Sequence, residues 1–202
     1  MKHFIYSLLE KFIIPKSIVQ NPSQKIIHMT DTPSDIYPEL DRLVTLTSPN
    51  LVIHTGDIVD DIKLELYPNR LDLYEKKLIR LNHLLSKHPN TQFIFVLGNH
   101  DHFEAVKKHL TCAQIYPESG TIDTFFGLFS FAHKFEDLPD IPSDYYLFGH
   151  SYASITPNLN PEKYINGLKH ISIFIESPHE IVNVHYPPST DAMRQNRRRR
   201  GF

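Results

Sequence analysis

The chain has 202 residues, 41% hydrophobic and 22% charged, with a formal net charge of -2. That balance supplies enough apolar material for a packed core and excludes a disordered chain. The near-neutral charge gives no global attraction to nucleic acid or to an acidic membrane, and the single cysteine, Cys112, excludes an internal disulfide framework and suits a reducing, cytoplasmic compartment.

The first predicted element is an amphipathic helix over about residues 3–14, with Ile5, Leu8, Leu9, Phe12 and Ile13 at helical spacing and Pro15 ending it. Glu10 and Lys11 interrupt its apolar run and no small-residue cleavage site follows, so it reads as a docking helix rather than a signal peptide or membrane anchor. "KIIHMT" at 25–30 is the first predicted strand, followed by a helix over about Pro38 to Thr47 with Leu40, Leu43 and Val44 on one side. "NLVIHT" is the second strand. A long helix follows, with Tyr67, Leu71, Tyr74, Leu78, Leu81 and Leu85 as its apolar stripe and Pro68 in its first turn. "QFIFVLG" is the third strand and "FEAVKKHL" a short helix.

From Thr121 the pattern changes to "TIDTFFGLFSFAHK", "YYLFGH", "HISIFIE" and "IVNVHY", strands joined by short turns containing Pro or Gly. Strands and helices alternate in the first half and strands dominate the second, which suits an α/β domain of stacked sheets with helices outside. The whole chain, 1–202, reads as one domain. It closes on a basic segment at about 194–202, "RQNRRRRGF", which reads as a solvated tail.

Chemistry-bearing residues gather at the strand ends. The first strand ends in Asp31, the second in Gly56 and Asp57, the third in Gly98, Asn99 and His100. Later strands end in His133 and in Gly149 and His150. Strands of an open α/β sheet bring their carboxyl ends to one edge, where ligands bind. Oxygen and nitrogen donors of this kind suit a divalent first-row metal such as Mn, Fe, Zn or Ni.

The stretches "GDIVD" at 56–60, "GNHD" at 98–101 and "GH" at 149–150, in that order, resemble the calcineurin-like metallophosphoesterases over about residues 25–152. The resemblance implies a four-layer αββα sandwich of two mixed sheets with a two-metal centre. It implies that Asp57 bridges the two metal positions and that Asn99, His133 and His150 complete the second. Asp31 would belong to the first position, His100 would act as general acid or stabilise phosphoryl oxygens, and Asp60 would hydrogen-bond His100 and hold its tautomer.

Two departures concern the same metal position. The family's Asp-x-His reads Asp31-Thr32-Pro33 here, and its Gly-His-x-His reads Gly149-His150-Ser151-Tyr152. Proline offers no ligand atom, and tyrosine binds metal only as a phenolate, against a reference pKa of about 10. Three readings follow: one metal at the Asn99/His133/His150 position; a second ion held weakly by Asp31, Asp57 and waters, with Tyr152 or Asp35 as candidate further ligands; or lost catalysis with a retained phosphate-binding shell. His185, which also ends a strand, rivals His133, and Lys63 reads first as a surface lysine, with contact to a substrate phosphate as the alternative. His28 and His54, inside strands, read as core or supporting groups. The leading expectation is hydrolysis of a phosphate mono- or diester by a metal-activated water, with one or two divalent ions, a phosphorylated substrate and no nucleic-acid or membrane partner. The alternative is a catalytically silent domain that binds a phosphorylated ligand or a partner protein.

Overall fold

A computed structural model describes residues 11–152, 160 and 162–195. Among the described residues, ten strands form two mixed sheets. In the six-stranded sheet, β1 (Lys25–Met29), β2 (Leu51–Thr55), β3 (Gln92–Val96) and β4 (Gln114–Tyr116) run parallel. The antiparallel strands β9 (Ile171–Ile175) and β10 (Glu180–Val184) extend the β1 edge. The four-stranded sheet pairs β5 (Ser119–Thr124) antiparallel with β6 (Gly127–Ala132), then adds β7 (Tyr145–Phe148) and β8 (Tyr164–Asn166) in parallel. The run "TIDTFFGLFSFAHK" is therefore a hairpin, and β4 and β8 are strands that periodicity alone does not announce.

Strands β1 and β2 are buried along their whole length because both faces are covered, as parallel central strands require. Ile27, Val52, Phe93 and Phe95 point to one core, shared with the helices. Ile26, Leu51, Ile53, Ile94 and Val96 point to the other, which they share with Phe129, Phe131, Leu147 and Phe174 between the sheets. The helices supply their faces at the expected spacing: Leu40, Leu43 and Val44 from α2 (Tyr37–Thr47), and Tyr74, Leu78, Leu81 and Leu85 from α3 (Leu71–Leu85). Pro68 opens a separate 3-10 turn, Pro68–Arg70, ahead of α3, and Tyr67 before it is exposed rather than part of the stripe. The far face of the smaller sheet carries an aromatic layer, with Phe135 against Phe148 and Tyr164, and Tyr146 stacked on Tyr164.

The predicted N-terminal helix falls partly on residues outside those described. Residues 11–15 carry no regular secondary structure, and a four-residue helix, α1 (Lys16–Val19), begins only after Pro15. Phe12 is nevertheless buried, held by Arg42 Nη2 donating to its carbonyl at 2.6 Å. At the other end, α5 (Thr190–Arg194) follows the short helix α4 (Phe103–His109), and Arg194 is buried rather than part of a solvated tail. No helix among the described residues is long and apolar enough to cross a membrane.

Candidate metal centre

Five strands deliver polar side chains to one place because β1, β2 and β3 are parallel in one sheet, and β6 and β7 are parallel in the other. The chain turns sharply as each leaves its sheet. Asp31, Asp57 and His150 all adopt positive φ, at 50°, 55° and 62°. Such left-handed backbone costs on the order of 1–3 kcal/mol at a non-glycine residue and persists only where surrounding bonds hold it. Those bonds are present: Asp31 N–H donates to the Gly56 carbonyl at 2.9 Å, and Thr32 N–H to the Asp57 carbonyl at 3.1 Å. Gly56 itself sits at φ 97°, and a Cβ there would run into the His133 ring. At Gly98 a Cβ would collide with the Asp57 carboxylate, so the close approach of these loops needs glycine.

His133 is the centre of the cluster. Its Nδ1 lies 2.7 Å from the Thr55 carbonyl, an acceptor, so in the neutral imidazole Nδ1 carries the proton and Nε2 a lone pair. That Nε2 faces Asn99 Oδ1 at 3.1 Å, His150 Nδ1 at 3.2 Å and Asp57 Oδ2 at 3.6 Å. The Asn99 amide is oriented by its Nδ2, which donates to Glu65 Oε2 at 2.5 Å. In that tautomer the lone pairs of His133 Nε2 and Asn99 Oδ1 point at one region, beside the Asp57 carboxyl. Asp57, His133 and His150 also offer donor atoms within 4.8 Å of one another, a spacing that fits a metal ion. Neutral imidazole, amide oxygen and carboxylate form a borderline donor set of the kind first-row divalent ions take.

A second group adjoins it. Asp57, Asp60 and His100 also bring ligand atoms within 4.8 Å. Here the protein supplies a cation of its own, because the Lys63 ammonium forms an ion pair with Asp60 Oδ1. Lys63 is only 14% exposed at its side chain and takes φ 55°, unlike an ordinary surface lysine. Asp60 does not hydrogen-bond His100 as expected. Its Oδ1 is taken by Lys63 and its buried Oδ2 has no hydrogen-bond partner, while His100 Nδ1 faces Glu65 Oε2 at 3.4 Å. The lysine reaches Asp60 from three residues on.

The charges are crowded. Burial, then the neighbouring Asp31 and Asp101, raises the Asp57 carboxyl well above its ordinary value, against the His100 N–H and Lys63. Burial with Asp31 and Asp57 pushes Asp60 up to about 8. Such carboxylates, deprived of water, ask for a cation or a proton. Burial and the Lys63 charge lower His100 to about 4, so it is neutral near pH 7. His28, bonded to Thr55 Oγ1 at 3.0 Å, and His54, bonded to Thr32 Oγ1 at 2.9 Å, lie inside the core and support the strand ends.

Asp31, Asp57, Asp60, Asn99, His100, His133 and His150 thus come together. His185 does not join them; it is exposed and packs edge-on against His170. Tyr152 is 48% exposed and donates to Asp191 Oδ1 at 2.8 Å, with its phenol pKa raised by burial and by that bond, so it is directed away from a ligand role. Asp35 stands exposed in the 3-10 turn Ser34–Ile36. Asp101 fastens two loops: its carboxylate accepts from Ile58 N–H, Gly98 N–H and Tyr74 Oη at 2.8–2.9 Å. Glu65 and Arg194 carry no sequence signal at all, one standing in an irregular loop and the other opening an arginine-rich run.

A family model for calcineurin-like phosphoesterases matches residues 24–201. The chain belongs to the calcineurin-like phosphoesterases. This is a family of metal-dependent phosphoester hydrolases, and the donor cluster around His133 suits the divalent ion that membership implies. No curated protein matches the chain in sequence. Among solved structures it is similar to Yfce, a phosphoesterase from E. coli, with 12% identity, a TM-score of 0.50, and 81% of this chain and 100% of that one covered. It is also similar to the nuclease MPE of Pseudomonas putida, with 13% identity, a TM-score of 0.40, and 86% and 92% covered. The likeness to Yfce at this identity shows the sandwich fold.

Proposed function

We propose that the protein hydrolyses a phosphate mono- or diester with a divalent ion held by Asp57, Asn99, His133 and His150. The observation that carries this reading is the set of lone pairs facing His133 Nε2, fixed there by the Thr55 carbonyl on one side and Glu65 on the other. A bound ion would supply Lewis acidity and an activated water for attack on phosphorus.

The chain's own groups supply the remainder. His100, neutral near pH 7, presents an N–H to a phosphoryl oxygen; the negative charge of the arriving substrate raises its proton affinity, so that it takes up a proton from solvent and as imidazolium can give it to the departing oxygen. Its backbone N–H donates to Asp57 Oδ1 at 3.0 Å, which couples the acid to the carboxylate that faces the ion. Lys63, held by Asp60 beside His100, adds positive charge on the side where the substrate's oxygens gather. Asp31 tunes the field of the cluster and orients His150, whose N–H lies 3.3 Å from Asp31 Oδ2.

The test is turnover of aryl phosphate monoesters and diesters by metal-stripped protein after addition of Mn(II), Ni(II) or Zn(II). Turnover that needs added metal and is lost in His133→Ala supports the reading. Metal-independent binding of phosphate, with no turnover of either ester class under any of these ions, overturns it in favour of a silent ligand-binding domain.

A further inference from the structure

Asp31 is buried, and Pro33 and Tyr152, which stand where the family pattern has histidines, offer it no nitrogen donor for a shared cation. What meets this strand end is Arg194. Only 6% exposed, it donates from Nε to the Asp31 carbonyl at 2.7 Å and from Nη2 to the Thr30 carbonyl at 3.0 Å. Its Nη1 donates to the Leu168 carbonyl at 3.0 Å and to Asp191 Oδ1 at 3.1 Å. The guanidinium lies 4.2 Å over the Tyr186 ring, and the Tyr186 hydroxyl accepts from Thr30 N–H at 3.1 Å. Four hydrogen bonds and an aromatic face fix a side chain that ordinarily carries considerable rotational freedom.

The contacts are specific to the turn that presents Asp31. Two successive carbonyls, of Thr30 and Asp31, are gripped by one guanidinium, and Asp31 is the residue held at φ 50°. The clamp extends to the other departure from the family pattern, since Tyr152 donates to the same Asp191 oxygen that Arg194 bonds. Guanidinium cannot lose its proton at accessible pH, so this is a permanent charge in a buried place. Across an interior of low dielectric, a second divalent ion beside Asp31 would meet its repulsion.

We propose that Arg194 is the fixed positive charge of the first cation position, a positioning residue that holds the Asp31 turn and confines the centre to one divalent ion. This deepens the proposed function and rests on the metal assignment made there.

Metal-stripped wild-type protein is titrated with Mn(II), and free ion is followed by electron paramagnetic resonance. One bound equivalent is expected in the wild type and in Arg194→Lys, with a second, weaker equivalent appearing in Arg194→Gln. Pro33→His/Tyr152→His, which restores nitrogen donors while keeping Arg194, is expected to stay at one. Two equivalents in the wild type or in that double variant overturn the proposal, as does an Arg194→Gln protein that binds one equivalent with unchanged affinity. No bound equivalent in the wild type instead overturns the metal assignment itself. Should Arg194→Gln fail to fold, the counts for wild type and Pro33→His/Tyr152→His still decide.

Discussion

Around Asp57, donor atoms of Asn99, His133 and His150 converge; around Asp31, the Arg194 guanidinium grips the backbone carbonyls and the carboxylate accepts from the Thr30 hydroxyl and the His150 N–H. Asp57 Oδ2 looks toward His133 Nε2 at 3.6 Å, whereas Asp31 has its carbonyl on Arg194 and its carboxylate on the Thr30 hydroxyl at 2.5 Å. Both acids end parallel strands and both adopt left-handed backbone. The difference lies in what each loop meets across the sheet: β6 and β7 bring histidines to Asp57, and the C-terminal helix α5 brings an arginine to Asp31. An acid at a strand end is thus not in itself a metal ligand. Its surroundings are set by the segment that packs across from it.

The sharpest way to break the comparison is on the open side. Asp57→Asn removes the negative charge that the donor cluster shares, and turnover of an aryl phosphate should fall by more than ~100-fold, the upper end for losing only a supporting partner of a ligand. Bound Mn(II), counted by atomic emission, should fall with it. His100→Ala should lower turnover by ~10²–10⁴-fold, the usual range for a general acid, while the Mn(II) count stays unchanged. Near-normal turnover in that variant would remove His100 from the chemistry. Gly98→Ala forces a methyl group into the Asp57 carboxylate, so Mn(II) affinity should drop although no ligand is altered.

A smaller effect concerns pH. Asp60, raised to about 8, and Asp57, also raised, bind more protons folded than unfolded at neutral pH. Their contribution is complete below the ordinary carboxylate range and is lost as pH rises toward the folded value. His28 and His100, lowered to about 3 and about 4, act oppositely but only below the ordinary histidine value of about 6.5. Between about pH 6.5 and 8 the acids act alone. Metal-free protein should therefore melt several degrees lower at pH 8 than at pH 6.5, and Mn(II) should raise the melting temperature more at pH 8. A melting temperature that rises across this window contradicts the charge assignment. Smallest of all, Tyr152→Phe loses one exposed hydrogen bond to Asp191 and should cost about 1 kcal/mol or less in chemical denaturation, with the Mn(II) count unchanged.

Much of the metal side is legible in sequence because it is local. Each strand end carries its own signal, an apolar run followed by a donor, with Gly directly before Asp57, Asn99 and His150, and the order of the runs places them on one edge. The proposed ligands Asp57, Asn99, His133 and His150 are candidates by this signal, and His133 is separated from His185 only by the topology that puts β6 beside β7. What sequence does not reveal depends on chain segments far apart. Arg194 reaches Asp31 across 163 positions, and nothing in "RQNRRRRGF" distinguishes its first arginine from the rest. Glu65 meets Asn99 from an irregular loop across 34 positions. The expected bond between Asp60 and His100 gives way to Lys63 for a plainer reason: a lysine three residues on, turned by its left-handed backbone, reaches a buried carboxylate first.

The most direct measurement is anomalous diffraction at the manganese edge from crystals of the wild-type protein grown with Mn(II). The account predicts a single full-occupancy peak among Asp57, Asn99, His133 and His150, with Arg194 still on the Asp31 carbonyl. A second peak beside Asp31, or a peak there alone, would contradict it.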